Sequence, residues 1–201
     1  MHPPLRIAIA EDDPDTRAFL ERAVPALGHA VSSVAADGRE LVAQCAAAAP
    51  DLILTDVRMP GLSGLDAVAA VNRVAPVPAV LLTGYTDPPL VARALELGVL
   101  SYLVKPVTEA ALGPAIALAR RQFEEVRGLR REAAELRQAL EDRKLVERAK
   151  GAVARRAGLP EAEAYARLRE MASRGNRKLA EVARVVIAAE EVFSDLERAD
   201  G

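Results

Sequence analysis

Five short apolar runs, set apart by amphipathic stretches, limit the possible folds of this chain more than any other feature. LRIAIA (5–10), LILT (52–55), AVLLT (79–83) and SYLV (101–104) are each bounded by turn-forming or charged residues, and AVSSVA (30–35) is a weaker fifth. Runs this short and this apolar read as strands buried on both faces, the environment of a parallel sheet. Between them TRAFLERAVPAL, GRELVAQCAAA, GLDAVAAVNRV, PLVARALELG and a stretch from Thr108 carry apolar residues at helical spacing. Strand alternating with helix predicts an α/β doubly wound fold around a five-stranded parallel sheet. In such sheets functional groups gather in the crevice at the carboxyl ends of the strands.

Those ends carry chemistry. The first strand runs into Glu11-Asp12-Asp13, the third ends on Asp56, the fourth on Thr83-Gly84 and the fifth on Val104-Lys105-Pro106. Carboxylates crowded at one edge repel one another unless a cation compensates them. Hard oxygen ligands without histidine or cysteine favour Mg²⁺. A lysine opposite them can anchor an anion or the charge of a transferring group. The combination predicts phosphoryl chemistry, with Asp56 as carboxylate nucleophile and the Thr83 hydroxyl and Lys105 ammonium on the remaining oxygens.

Composition narrows the setting. A chain of 201 residues that is 51% hydrophobic and 28% charged can bury a core and accommodates one or two domains. No basic-then-apolar leader is evident, and every apolar run falls short of the roughly 18 residues a membrane span needs, so a soluble, cytoplasmic protein is expected. Cys45, alone and in an alanine-rich helical stretch, reads as a structural thiol. Charge is uneven: residues 1–119 hold 8 Lys/Arg against 13 Asp/Glu, whereas 143–184 hold 12 against 5. The acidic and basic portions should meet different partners.

From about Ala119 the pattern becomes one long helix. Placing heptad position a at Val126, Ala133 and Leu140 puts d at Leu129 and Leu136. Glu125 and Glu132 at g then oppose Arg130 and Arg137 at e of a second chain, the arrangement of a parallel dimer. The same seam can instead pack back on the chain's own domains. Gly158 should stop this helix. Pro160 suits the first turn of the next, EAEAYARLREMAS, which Gly175 closes. Asn176 is expected to cap a third helix, RKLAEVARVVIAAEEVF. Tyr165, Leu168 and Ala172 should face Leu179, Val182 and Val186, and the Val146, Ala149 and Val153 stripe. A basic surface on a small bundle suggests nucleic acid. The third helix is too apolar for a typical major-groove reader, which leans the reading toward RNA.

AEDDPDTR, LILTDVRMPGLSGLDA, LLTG and SYLVKP together resemble the receiver domain of bacterial response regulators, over about residues 5–119. That resemblance implies a sensor histidine kinase as phosphodonor and no catalysis beyond the receiver's own phosphorylation and dephosphorylation. It places Glu11 and Asp12 in the acidic pocket, Asp56 as phosphoacceptor, the Arg58 carbonyl on the metal, Thr83 and Lys105 on the phosphoryl group and Tyr102 as an aromatic switch. The first acid is Glu where Asp is commoner, which implies a water-mediated metal contact. Asp87-Pro88-Pro89 stiffens a loop that usually moves.

RKLVERAKG (143–151), AYARLREMA (164–172) and RKLAEVARVV (177–186) resemble the ANTAR domain, an RNA-binding antitermination module, over about residues 136–192. By that likeness a dimer binds paired hairpin loops in a nascent transcript, with Arg148, Lys150, Tyr165, Arg169, Arg174, Arg177 and Lys178 as candidate contacts. Tyr165, on the apolar face, reads as core before stacking platform. The chain is expected to divide into a receiver (1–119), a coiled-coil linker helix (120–142) through which it dimerises, and an ANTAR-like unit of three helices (143–201). A DNA-binding transcription factor and a protein-binding regulator are the alternatives. An aspartate-dependent phosphatase would need a second acid where Arg58 stands.

Overall fold

The computed structural model describes residues 3–84, 92–94, 97, 99 and 101–199, with side chains as far as Val192. Strands β1 (Arg6–Ala10), β2 (Ala30–Ala35), β3 (Leu52–Asp56), β4 (Ala79–Thr83) and β5 (Ser101–Val104) pair in parallel in the order β2-β1-β3-β4-β5. The five-stranded doubly wound sheet read from the apolar runs is therefore the fold. Helices α1 (Pro14–Ala26), α2 (Gly38–Ala47) and α3 (Gly64–Val74) connect the strands. The helix expected over PLVARALELG falls mostly outside the described residues, as does Asp87-Pro88-Pro89; only 92–94 are helical there.

Alternation along the central strands divides the core between the two faces of the sheet. Ala8 and Ala10 of β1 and Ile53 of β3 pack with Leu65, Val68 and Val71 of α3 and with Leu41 and Cys45 of α2. Ile7, Ile9, Leu52 and Leu54 point the other way, against Leu20 and Val24 of α1 and against Leu112 and Ile116. Both faces of β1 and β3 are sealed, so these strands need apolar residues throughout.

Each early helix begins where a side chain can take its free N–H groups. Asp13 accepts from the Thr16 N–H ahead of Pro14, Asp37 from Arg39 and Glu40, and Ser63 from Asp66. These caps fix where each loop ends, and two of the three loops carry the site.

Helix α4 runs without interruption from Glu109 to Ala157, 49 residues or roughly 74 Å. It starts ten residues before the change of pattern at Ala119, because the stretch from Thr108 and the linker are one element. The chain forms two compact units, 1–127 and 128–201. Gly158, at φ 63°, ends α4. Helices α5 (Glu161–Arg174) and α6 (Leu179–Ala199) complete the second unit. Pro160 occupies the cap position, one residue before the helical turn expected for it, and Gly175 closes α5. Asn176 does not cap α6: it adopts φ 47°, a left-handed conformation that continues the turn out of α5, and α6 starts three residues later. The core of this unit is small, Ala149, Leu168, Ala172, Val182 and Ala183, ringed by Val146, Val153, Leu179 and Val186. No helix among the described residues is long and apolar enough to cross a membrane.

Candidate functional site

Parallel pairing brings the four strand ends to one edge. Glu11 is fully buried and Asp56 and Thr83 nearly so, while Asp12 is exposed. One oxygen each from Glu11, Asp12 and Asp56 lies within 4.8 Å of the others. The Lys105 ammonium reaches across from the end of β5, 2.6 Å from Asp56 Oδ2 and 2.8 Å from Glu11 Oε1. The Lys105 backbone N–H donates to the Thr83 carbonyl at 2.8 Å, which fixes the end of β5 beside β4.

The electrostatics are those of a carboxylate pocket short of positive charge. Burial pushes the Glu11 carboxyl above its ordinary range; the hydrogen bond from Lys105 opposes this and the charge of Asp56 adds to it. Glu11 Oε2 is buried and has no hydrogen-bond partner among the described residues. Burial alone would lower the Lys105 pKa, but hydrogen bonds to Asp56 and Glu11 and their charges outweigh it and hold the ammonium above the usual lysine value. An unpartnered buried carboxylate oxygen among hard donors fits a divalent cation.

Positions that motif reading missed hold the loops in place. Arg17 Nη1 donates to the Glu11 carbonyl at 2.7 Å and to the Asp12 carbonyl at 3.2 Å, tying the acidic loop to α1. The Thr55 hydroxyl donates to the Asp56 carbonyl at 2.9 Å, and the Arg58 N–H donates to Asp56 Oδ1 at 3.2 Å. A Cβ at Gly64 would overlap the Asp56 carbonyl and the Thr55 hydroxyl, so only glycine lets α3 begin there. The second glycine of PGLSG, immediately after Ser63, was the available signal for so close an approach. Tyr102, two residues before the end of β5, is 48% exposed.

The RNA candidates lie on the second unit. Arg148, Tyr165, Arg169, Arg174, Arg177 and Lys178 are exposed. Tyr165 is not core: it is 38% exposed and absent from the apolar cluster that Leu168 and Ala172 join. It sits one position past Ala164, at the margin of the buried stripe, so the ring turns outward. Lys150 lies between Glu147, at 2.6 Å, and Glu161, at 2.9 Å. In the linker part of α4, Leu129, Leu136 and Leu140 are 60%, 65% and 54% exposed.

A parallel sheet in the order 2-1-3-4-5, with acids, a hydroxyl and a lysine at its carboxyl edge, defines the receiver class of signalling proteins. The response regulator receiver domain matches residues 7–117 and the ANTAR domain residues 134–187. The chain belongs to the response regulator family and joins a receiver to an ANTAR output domain. The transcriptional regulatory protein PdtaR of Mycobacterium tuberculosis is 38% identical over 186 residues, 92% of this chain and 90% of that protein. AfsQ1 of Streptomyces coelicolor, also a transcriptional regulatory protein, is 34% identical over 120 residues, 59% of this chain and 52% of its own. Among solved structures, the signal receiver domain of NarL from Mycobacterium tuberculosis superposes with a TM-score of 0.56 at 29% identity, covering 60% of this chain and 98% of that domain.

Proposed function

We propose that the protein is a cytoplasmic response regulator whose phosphorylation on Asp56 controls binding of hairpin RNA by a dimer, and through it transcription antitermination. The observation that carries this reading is α4: one helix begins in the receiver unit, ends in the ANTAR unit and leaves Leu129, Leu136 and Leu140 exposed between. Exposed leucines at heptad spacing are costly in water and are satisfied by the same stripe of a second chain.

Chemistry starts at Asp56. Its carboxylate oxygen attacks the phosphorus of a phosphohistidine on a sensor kinase; the O–P bond forms as the P–N bond breaks, and the electron pair leaves with the imidazole. Glu11, Asp12, Asp56 and the Arg58 carbonyl would hold Mg²⁺, which when bound neutralises the carboxylates and the phosphoryl oxygens. Lys105 releases one carboxylate contact to pair with a phosphoryl oxygen, and the Thr83 hydroxyl donates to another. Movement of Thr83 opens space for Tyr102 to turn inward, which reshapes the β4–β5 surface and favours pairing of α4. No other reaction is assigned to the chain. The domains act as a receiver to residue 119, a pairing helix over 120–142 and an RNA-binding unit beyond.

The test is a titration of the full chain with a two-hairpin RNA and with a duplex DNA of matching sequence, with and without beryllofluoride plus Mg²⁺. Tighter binding of RNA on addition of the phosphoryl mimic, lost in Asp56→Ala, is the expected result. Preference for duplex DNA would make the protein a DNA-binding regulator instead, and equal indifference to both would direct the output to a protein partner.

A further inference from the structure

The basic side chains of the second unit differ in what their charges already meet. Lys150 keeps only 20% of its side chain exposed, and hydrogen bonds from its ammonium to Glu147 and then Glu161 hold it above the ordinary lysine pKa. Glu147 is on the same helix, whereas Glu161 opens α5, so this trio ties the corner between α4 and α5. Arg148 pairs with Glu191 and Arg174 with Glu170 in the same way. A phosphate approaching any of these must first displace a carboxylate. Arg169, Arg177 and Lys178 are exposed and have no side-chain ion pair among the described residues.

Tyr165 and Arg169 stand one turn apart on α5, each one residue after a core position, Ala164 and Leu168. They therefore share a flank. Glu161, one turn before Tyr165, is also exposed on that side and is engaged by Lys150; the others, Ala162, Ala166 and Ser173, are too small to screen the ring or the guanidinium from a flat ligand. Arg167, also without an ion pair among the described residues, lies on the opposite flank. A half-exposed tyrosine ring beside an uncompensated arginine is the combination that takes an unpaired base: the ring stacks and the guanidinium meets the adjoining phosphate.

We infer that Tyr165 and Arg169 form the pocket for an unpaired hairpin-loop base, that Arg177 and Lys178 in the α5–α6 turn hold the neighbouring backbone, and that Lys150 builds the α4–α5 corner without touching RNA. This inference rests on the RNA-binding reading and divides its candidate residues into contact and scaffold.

The experiment uses full-length protein with beryllofluoride and Mg²⁺, titrated at several salt concentrations against a two-hairpin RNA and the same stems closed without unpaired loop bases. Tyr165→Leu should weaken loop binding about tenfold or more and leave the salt slope unchanged, while Tyr165→Phe, which keeps the ring, retains affinity. Arg169→Ala should flatten the salt slope by about 0.7, one phosphate contact on a single strand. Lys150→Met should lower the melting temperature yet, where folded, change affinity by less than about threefold with the slope intact. A flattened slope in Lys150→Met, or wild-type behaviour of Tyr165→Leu and Arg169→Ala, overturns the inference while the RNA reading stands. If the wild-type chain itself prefers duplex DNA or binds neither, the RNA reading falls and takes this inference with it.

Discussion

Glu11 is fully buried, keeps one oxygen without a partner among the described residues and shares Lys105 with Asp56. Because burial raises its pKa in the folded chain, the folded state holds the proton more tightly than the unfolded state. The associated stability is complete below the ordinary value of about 4.5 and is lost as pH rises through the folded value. At neutral pH the ionised carboxylate therefore costs stability that a metal would recover. Glu11→Gln should raise the urea midpoint at pH 8 by the equivalent of about 1 kcal/mol, with the gain vanishing near pH 4, and should abolish the stabilisation that Mg²⁺ gives the wild type. Denaturation curves at both pH values, with and without Mg²⁺, check the sign. Gly64 sets a second limit. Gly64→Ala forces the start of α3 away from the Asp56 carbonyl, and overpacking against backbone costs about 2 kcal/mol or more. Its phosphorylation by a small-molecule donor should slow at least tenfold even where it remains folded. The acids, Thr83 and Lys105 were legible because each terminates an apolar run; Thr55, Arg17 and Gly64 were not, since their roles depend on which backbone atoms the fold brings near.

At the scale of elements, the sequence was informative wherever burial was two-sided. β1, β3 and β4 read directly from unbroken apolar runs, whereas the caps Asp13, Asp37 and Ser63 emerged only with the structure. Reading broke down where local chemistry permits two outcomes. Asn can cap a helix or take positive φ, and after Gly175 the tight turn demands the second, so α6 begins at Leu179. Tyr165 sits at the margin of an apolar stripe, and a stripe only as wide as Ala164, Leu168 and Ala172 leaves it half outside. Helix α4 shows no boundary near 119 because residues 115–127 contain neither glycine nor proline; its apolar face passes from the receiver core at Leu112 and Ile116 to an open stripe at Leu129 and Leu136. Leu136 is 65% exposed, so replacing it should leave the isolated chain's stability within about 0.5 kcal/mol. Leu136→Lys should nevertheless raise the dimer dissociation constant at least tenfold, which sedimentation equilibrium measures directly. An unchanged dimer constant would assign the stripe to another contact.

Across the whole molecule the acidic receiver and the basic output unit are joined by a helix that can report on one and organise the other. The output unit has a core of few residues, and part of its cationic charge is already met, because Arg148, Lys150, Arg174 and Arg184 are paired with carboxylates. A single unit should therefore hold one hairpin weakly. In the proposed dimer, two units on a paired α4 would convert the second hairpin's binding into an intramolecular step, with a gain of about 10²–10⁴ when the spacing of the hairpins matches. Phosphorylation then need not alter the RNA surface at all: shifting the monomer–dimer balance is sufficient. This predicts an interaction between variant and ligand. Beryllofluoride with Mg²⁺ should tighten wild-type binding to a two-hairpin RNA by about 10² or more and leave a one-hairpin RNA nearly unaffected. Leu136→Lys should bind the one-hairpin RNA like wild type and lose the gain on two, and Asp56→Ala should lose only the response to the mimic. Equal tightening on one and two hairpins would mean that the phosphoryl signal acts on the RNA surface itself, and the pairing helix would then be a tether.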